Sequence, residues 1–560
     1  LPVFKPGVKI GPGFHNVRVS YVEGNPVVLQ EMKEYTDFRK TQYQQPTALK
    51  VNTDFMNGRK TRARQWHRTD LNGDGKLDVL LGIGDWTEYG WDDAWDSNGV
   101  WKNGPLRGRM HVAYNEGTNE KPKFAHPVLL ASKNGPPPEV FGWPSPCIED
   151  WDGDGDLDII CGEFRDTFTY FENVGSKSEP LFAAGRQLLL GDKPLTMDLQ
   201  MIVPTSIDWD ADGDLDLIVG DEDGRVALIE NTGKFSDGEP QFLAPKYFQQ
   251  EAEFVKFGAL ATPFGFDWDG DGDEDILCGN TAGYIGFIEN LGGGESPRWA
   301  KPKYLEAGGE VFRIMAGPNG SIQGPCESKW GYTTISVADW NHDGLPDILF
   351  NSIWGRIEWL ENIGTRTNPK LAKPQSIEVE WDGPTPKPEW TWWEPQGKEL
   401  VTQWRTTPFA VDWNDDGLID LVMLDTEGYL ALFERVKQGD RVVLIPGKRI
   451  FVDLEGNPLQ LNPKRAGGSG RRKFEIVDWD GDGLKDLMIN GTNADLWLNR
   501  GERDGRVIFE EQGPLDERKL AGHTSSPTTV DWNNDKIPDL LIGAEDGYFY
   551  HVKNPRSTTR

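Results

Sequence analysis

Eight short stretches carry oxygen donors at one spacing: DLNGDGKLD from Asp70, DWDGDGDLD from Asp150, DWDADGDLD from Asp208, DWDGDGDED from Asp267, DWNHDGLPD from Asp339, DWNDDGLID from Asp412, DWDGDGLKD from Asp478 and DWNNDKIPD from Asp531. Oxygen-rich side chains wrapped round a Gly turn are what a hard divalent cation requires. The chemistry implied is a calcium cage in each loop, with ligands at positions 1, 3, 5 and 9. These are Asp70, Asn72, Asp74 and Asp78; Asp150, Asp152, Asp154 and Asp158; Asp208, Asp210, Asp212 and Asp216; Asp267, Asp269, Asp271 and Asp275; Asp339, Asn341, Asp343 and Asp347; Asp412, Asn414, Asp416 and Asp420; Asp478, Asp480, Asp482 and Asp486; and Asp531, Asn533, Asp535 and Asp539. An EF-hand would need flanking helices and a Glu at position 12, which here is apolar in every copy, from Leu81 to Ile542. So closed a ligand set braces a turn and does no chemistry of its own. In the last copy Lys536 replaces the position-6 Gly, which puts that ion in doubt.

The elements that hold these loops read as strands. A repeat runs as an apolar segment (407 to 411), the acidic loop, a second apolar segment (421 to 424), a Gly turn and a third (429 to 433). Such short runs of Val, Ile, Leu, Phe and Tyr punctuated by Gly, Asn and Pro indicate strand and turn. A fourth element follows an Asn-x-Gly turn, as in ENVGSKSEPLF (172 to 182) and ENIGTRTNPKL (361 to 371), with Pro opening an outer strand where no ladder donor is needed. Four strands per repeat make one propeller blade. The expectation is all-β, a single eight-bladed β-propeller over 1–560, with seven blades as the alternative. The blades fall near 63–130, 131–190, 191–248, 249–305, 306–376, 377–452, 453–513 and 514–556. Residues 2–10 resemble an outer strand and are expected to complete the last blade, and 11–62 read as an insertion before the first.

The formal charge of −31 comes largely from the loops, where eight divalent ions would bring it to about −15. That balance argues against nucleic acid as a partner. No window is apolar enough for a membrane span, and Leu1 opens without a charged and apolar leader. Calcium loops suit a secreted or periplasmic setting, and the sequons at Asn319 and Asn490 do not object. A monomer is expected. Of four cysteines, Cys161 and Cys278 read as buried strand residues, while Cys147 and Cys326 stay open as to pairing.

If the acidic loops mark one face of a propeller, long insertions on the other face carry specificity. Residues 82–110 hold Trp86, Tyr89, Trp91, Trp95 and Trp101; 376–406 hold Trp390, Trp392, Trp393 and Arg405; 308–332 end in Lys329 and Trp330. Aromatic faces beside polar groups suit a saccharide. Basic residues near the same loops, among them Arg64, His67, Arg68, Arg465, Arg471, Arg472, Lys473 and His523, suggest an anionic one such as a uronate.

The loops resemble the calcium loops of FG-GAP or VCBS repeats, and the architecture resembles rhamnogalacturonan lyases and ulvan lyases. This resemblance rests on the repeats and implies a calcium-binding, carbohydrate-active propeller that cleaves a uronate-containing polysaccharide, with rhamnose as a further constituent, by β-elimination. The candidate groups are Arg68, Arg405 and Arg472 to neutralise the carboxylate, His67 or His523 as base, and Tyr89 as acid. Two alternatives stand beside it. A glycoside hydrolase would draw two carboxylates from Asp85, Glu88, Asp92, Asp93, Asp96, Glu389 and Glu394. A carbohydrate-binding or adhesion propeller would need the aromatics alone.

Overall fold

The computed structural model describes residues 1–8, 17–22, 25–30, 32–37, 44–90, 92–292, 297–520, 522 and 524–557, without the side chains of 21, 22, 63 and 64. His15, Trp91, His523 and the Arg64 side chain lie outside the described set. The all-β expectation holds: strands dominate, with two single-turn 3-10 segments among the described residues. No helix among them is long and apolar enough to cross a membrane. The chain divides into two compact units, Leu1–Trp91 with Lys102–Glu253 and Asp92–Trp101 with Phe254–Arg560, where the repeats had suggested one array.

The repeat unit is built as its sequence suggests. Each acidic loop joins a first strand to a second, and position 9 opens that second strand, as Asp158 opens Asp158–Gly162 and Asp347 opens Asp347–Asn351. Apart from Asp216–Gly220, where Ile218 and Gly220 are half-buried, the second strands are buried along their whole length, because both of their faces pack against neighbouring sheets. The Asn of each Asn-x-Gly turn accepts from the backbone that follows: Asn173 Oδ1 takes the N–H of Gly175 and Leu181, and Asn362 Oδ1 those of Gly364 and Lys370. Trp151, Trp268, Trp340 and Trp479, all at loop position 2, are buried in the packing between sheets.

Among the described residues the first unit contains four sheets of four or five strands but only three acidic loops. The extra sheet is formed by Val17–Val22, Asn25–Gln30, Lys33–Tyr35 and Thr47–Ala48, within the segment read as an insertion of open fold. Its first strand contacts Thr61–Thr69, and Arg18 on it donates to the carbonyls of Pro146 and Pro204, on the first strands of the next two sheets. Residues 3–4, expected to complete the last blade, instead pair in parallel with Gln249–Gln250 in this same unit. The last sheet consists of Ser526–Val530, Asp539–Gly543 and Phe549–Val552. The likeness of residues 2–10 to an outer strand specifies an edge element but not which edge it joins.

In the second unit the first strands Thr262–Phe266, Thr334–Ala338, Phe409–Val411, Phe474–Val477 and Ser526–Val530 touch in that order, and the last touches the first. Hydroxyls bind the neighbours together: Thr262 Oγ1 donates to Thr333 O, Thr334 Oγ1 to Thr406 O, and Thr528 Oγ1 accepts from Gly265 N–H. A narrow axial cavity of about 10 Å³ is lined by residues of all five first strands or their leads. Within the second unit the contacts therefore close at five sheets. The spacing of a repeat counts sheets, whereas ring size depends on which first strands meet.

Candidate functional site

Four loops bring three carboxylates within reach of a single ion: Asp150, Asp152 and Asp158; Asp208, Asp210 and Asp212; Asp267, Asp269 and Asp271; and Asp478, Asp480 and Asp486. In each triad the ligand oxygens lie within 4.8 Å of one another. Such an all-oxygen set fits a hard divalent cation. The other four loops have Asn at position 3, so an amide oxygen replaces one carboxylate. Their turns close on the same plan: Asp343 N–H donates to Asp339 and Asn341, and Asp416 N–H to Asp412 and Asn414. Positions 4 and 6 take left-handed backbone throughout, from Gly73 and Gly75 to Asn534 and Lys536, so His342 and Lys536 sit where Gly is easiest. In the last loop the Ser557 hydroxyl donates to Asp535 and accepts from Asn533, which gives that loop protein partners of its own.

Position 9 does more than ligate. Asp275 Oδ1 accepts from Asn290 N–H at 2.8 Å and Oδ2 from Trp268 N–H at 2.9 Å, and the same pair of bonds recurs at Asp158, Asp216, Asp347, Asp420 and Asp486. One side chain thus ties the acidic loop to the turn that starts the outer strand. Burial raises four of these carboxyls markedly, Asp158 to about 7 and Asp275, Asp347 and Asp486 to about 6, so a nearby cation would favour their ionised form.

Several residues proposed for chemistry are structural in the first unit. His67 is buried on its first strand, and burial, then the charge of Arg18, holds its imidazole down to about 3. Arg68 is buried in an ion pair with Glu34 at 2.7 Å and donates to the carbonyls of Leu77 and Asp78. Trp86 and Tyr89 pack edge to face at 5.5 Å, both buried. All four side chains are buried, His67 and Arg68 on a first strand and Trp86 and Tyr89 turned inward from the 82–110 segment.

The second unit gathers the remainder. Trp95 stacks on Trp392 at 5.2 Å, meets Trp101 edge-on at 5.2 Å and donates its indole N–H to Ser321 O. Trp393 lies under the Arg356 guanidinium at 4.2 Å, while Trp390 is buried. Trp330 is buried against Tyr332, and Lys329 beside it is half-buried. Arg405 stacks on the Tyr332 ring at 3.4 Å, with Trp404 at 5.1 Å and Arg471 over the far side of that indole at 5.3 Å. Arg472 is committed to the carbonyls of Asn490 and Leu461.

A backbone feature assembles the cluster. Leu260, Tyr332, Arg405 and Arg471 each lead into a first strand and each takes positive φ, between 50° and 64°. Left-handed non-Gly residues of this kind hold strain of about 1–3 kcal/mol each, sustained by the packing around them. Because Arg405 precedes Phe409–Val411 and the loop from Asp412 follows it, this mouth and the acidic loops lie at opposite ends of the first strands.

Three further members are buried or half-buried charges, of which Glu327 alone was not singled out from sequence. Glu327 accepts hydrogen bonds from Ser321 and Tyr332; burial pushes it up to about 7 against the pull of Ser321, Arg405 and Arg471. Asp92, a hydrolase candidate, rises to about 6 through burial, offset by Arg471 and Gln323. Lys473 is 3% exposed, with its amine 3.4 Å from Thr524 Oγ1; burial, then Arg405, Arg471 and Arg472, hold it well below the ordinary lysine value. Its sequence signal is position: Lys473 directly precedes the first strand Phe474–Val477, in which Glu475 is the one residue that is not apolar.

Residues 478–542 match a family described as FG-GAP-like repeat. Among solved structures, the chain is similar to one described as BBS1N in complex with ARL6DN, soaked with lead, at 10% identity and a TM-score of 0.22, covering 74% of this chain and 94% of that one. A second, soaked with mercury, gives 9% identity and a TM-score of 0.23 over 63% and 91% of the two chains. No curated protein matches the sequence. Together with the sheets described above, the repeat defines an all-β, propeller-type protein; no polysaccharide lyase is among these matches.

Proposed function

We propose that the mouth of the second unit binds an anionic saccharide and cleaves it by β-elimination at a uronate. The observation that carries this reading is a buried amine biased towards its neutral form, Lys473, whose charge Arg405 and Arg471 oppose, the two guanidiniums that lie over Trp404. The two guanidiniums would neutralise the uronate carboxylate and so acidify the proton at C5. Lys473 takes that proton, the C4–O bond breaks as the C4–C5 double bond forms, and the Tyr332 hydroxyl protonates the departing oxygen. Trp95, Trp101 and Trp392 would supply the apolar faces for the sugar rings.

Calcium in the acidic loops would brace the far ends of the strands that position these groups. When bound it supplies charge compensation for the carboxylates.

The test is incubation with a panel of uronate-containing polysaccharides, following ultraviolet absorbance of the unsaturated product together with new reducing ends. Both signals rise together in an elimination. A second reading has its own support, since Asp92 and Glu327 are two raised carboxyls that share Arg471. Reducing ends without absorbance would replace elimination with hydrolysis by that pair. Retention on the polysaccharide with neither signal would leave a binding protein.

A further inference from the structure

The four first strands of the first unit surround a positive charge that no described carboxylate meets. Arg18 is 2% exposed, and its Nη2 donates to Pro146 O and Pro204 O, each at 2.8 Å. Its Nε and Nη1 have no partner, nor do Nδ1 of His67 (9% exposed) and Oγ of Ser145 (0% exposed). These groups are neighbours: His67 feels the Arg18 charge, and Ser145 precedes the Pro146 whose carbonyl Arg18 holds. The titratable groups that act on the guanidinium are Cys147 and Cys161, both kept as neutral thiols by burial. A guanidinium cannot shed its proton to escape burial, and two carbonyl dipoles do not cancel a full charge.

We propose that this axis holds one small monovalent anion, chloride, bound by Arg18 Nε and Nη1 together with Ser145 Oγ and His67. The site favours a halide over a carboxylate or phosphate because every group around it is at least nine-tenths buried, which leaves no path for a ligand with an organic or bulky body. Water could accept from the same donors but would leave the charge unmatched. The site is independent of the saccharide mouth: it lies in the other unit and serves the fold of that unit.

The test uses the full chain at fixed calcium and fixed ionic strength, melted in sodium chloride and in sodium methanesulfonate, whose anion is too large for the site. Chloride at ten times its dissociation constant should raise Tm by about 3 °C over methanesulfonate. Arg18→Met should abolish the difference and Ser145→Ala should reduce it. Crystals soaked in bromide require no variant and should show an anomalous peak beside the guanidinium. Equal Tm in the two salts, a difference that survives Arg18→Met, or a bromide map with only water there would each overturn the proposal.

Discussion

Closure of the second unit at five sheets rests on the contact between Thr262–Phe266 and Ser526–Val530, and Gly265→Ala tests it. A Cβ at Gly265 would lie 2.2 Å from Thr529 O and 2.6 Å from Val530 Cγ1. Ordinary contact requires more than 3 Å, and the nearer atom is backbone, so two hydrogen-bonded strands would have to separate by nearly 1 Å. Overpacking of this kind costs about 1–3 kcal/mol, against a gain of about 0.4–1 kcal/mol from the stiffer unfolded chain. The expected net loss is about 2 kcal/mol, or roughly 3 °C in Tm for a unit of this size. Gly220→Ala is the control, because a Cβ there meets nothing within 4 Å, and that variant should match the parent or exceed it slightly. Thermal and urea melts of both variants in calcium would decide. Full stability of Gly265→Ala would mean that the two strands do not meet, and a ring of five would be wrong.

Chelation should lower Tm, and Asp480→Asn should remove one calcium from the stoichiometry measured by titration, since it takes one carboxylate from the Asp478, Asp480 and Asp486 group. An unchanged Tm in chelator would undo the metal assignment. Glu327 titrates near 7 in the fold against 4.5 ordinarily, so its contribution is full below 4.5 and lost as pH rises through 7. Glu327→Gln should remove on the order of 3 kcal/mol of that pH dependence, read from urea melts across the interval, and parallel curves for the two proteins would contradict it. Lys473→Met should lower kcat by at least about 100-fold while leaving Tm unchanged or higher, because the lost amine is one that burial disfavours as a cation. Full activity in that variant would exclude Lys473 as the base.

What could be read in the sequence was local. The acidic loops were legible because all their donors fall within nine residues, and the Asn-x-Gly turns because Asn makes its bonds to the backbone just after it. Ring size was not, since Gly265 meets Thr528 across 263 positions with no motif at either end. The sheet from Val17 was overlooked because it lacks the acidic loop that marked every other repeat, although VRVSYV alternates as a strand should. Trp86, Tyr89 and His67 were misplaced for a common reason: aromatic and imidazole groups close to a loop can turn inward and pack, and only the fold decides. Arg405 is legible among the tryptophans and Lys473 in the basic run with Arg471 and Arg472, but Glu327 is a lone charge in mixed surroundings.

The most direct measurement is a crystal structure of Lys473→Met with a uronate-containing oligosaccharide from a polysaccharide that the parent protein depolymerises. The expected result is a uronate carboxylate between the Arg405 and Arg471 guanidiniums, with a sugar ring against Trp95, Trp101 or Trp392. Oligosaccharide bound only elsewhere, with both arginines still confined to Tyr332, Trp404 and Glu327, would contradict the assignment of this mouth as the site.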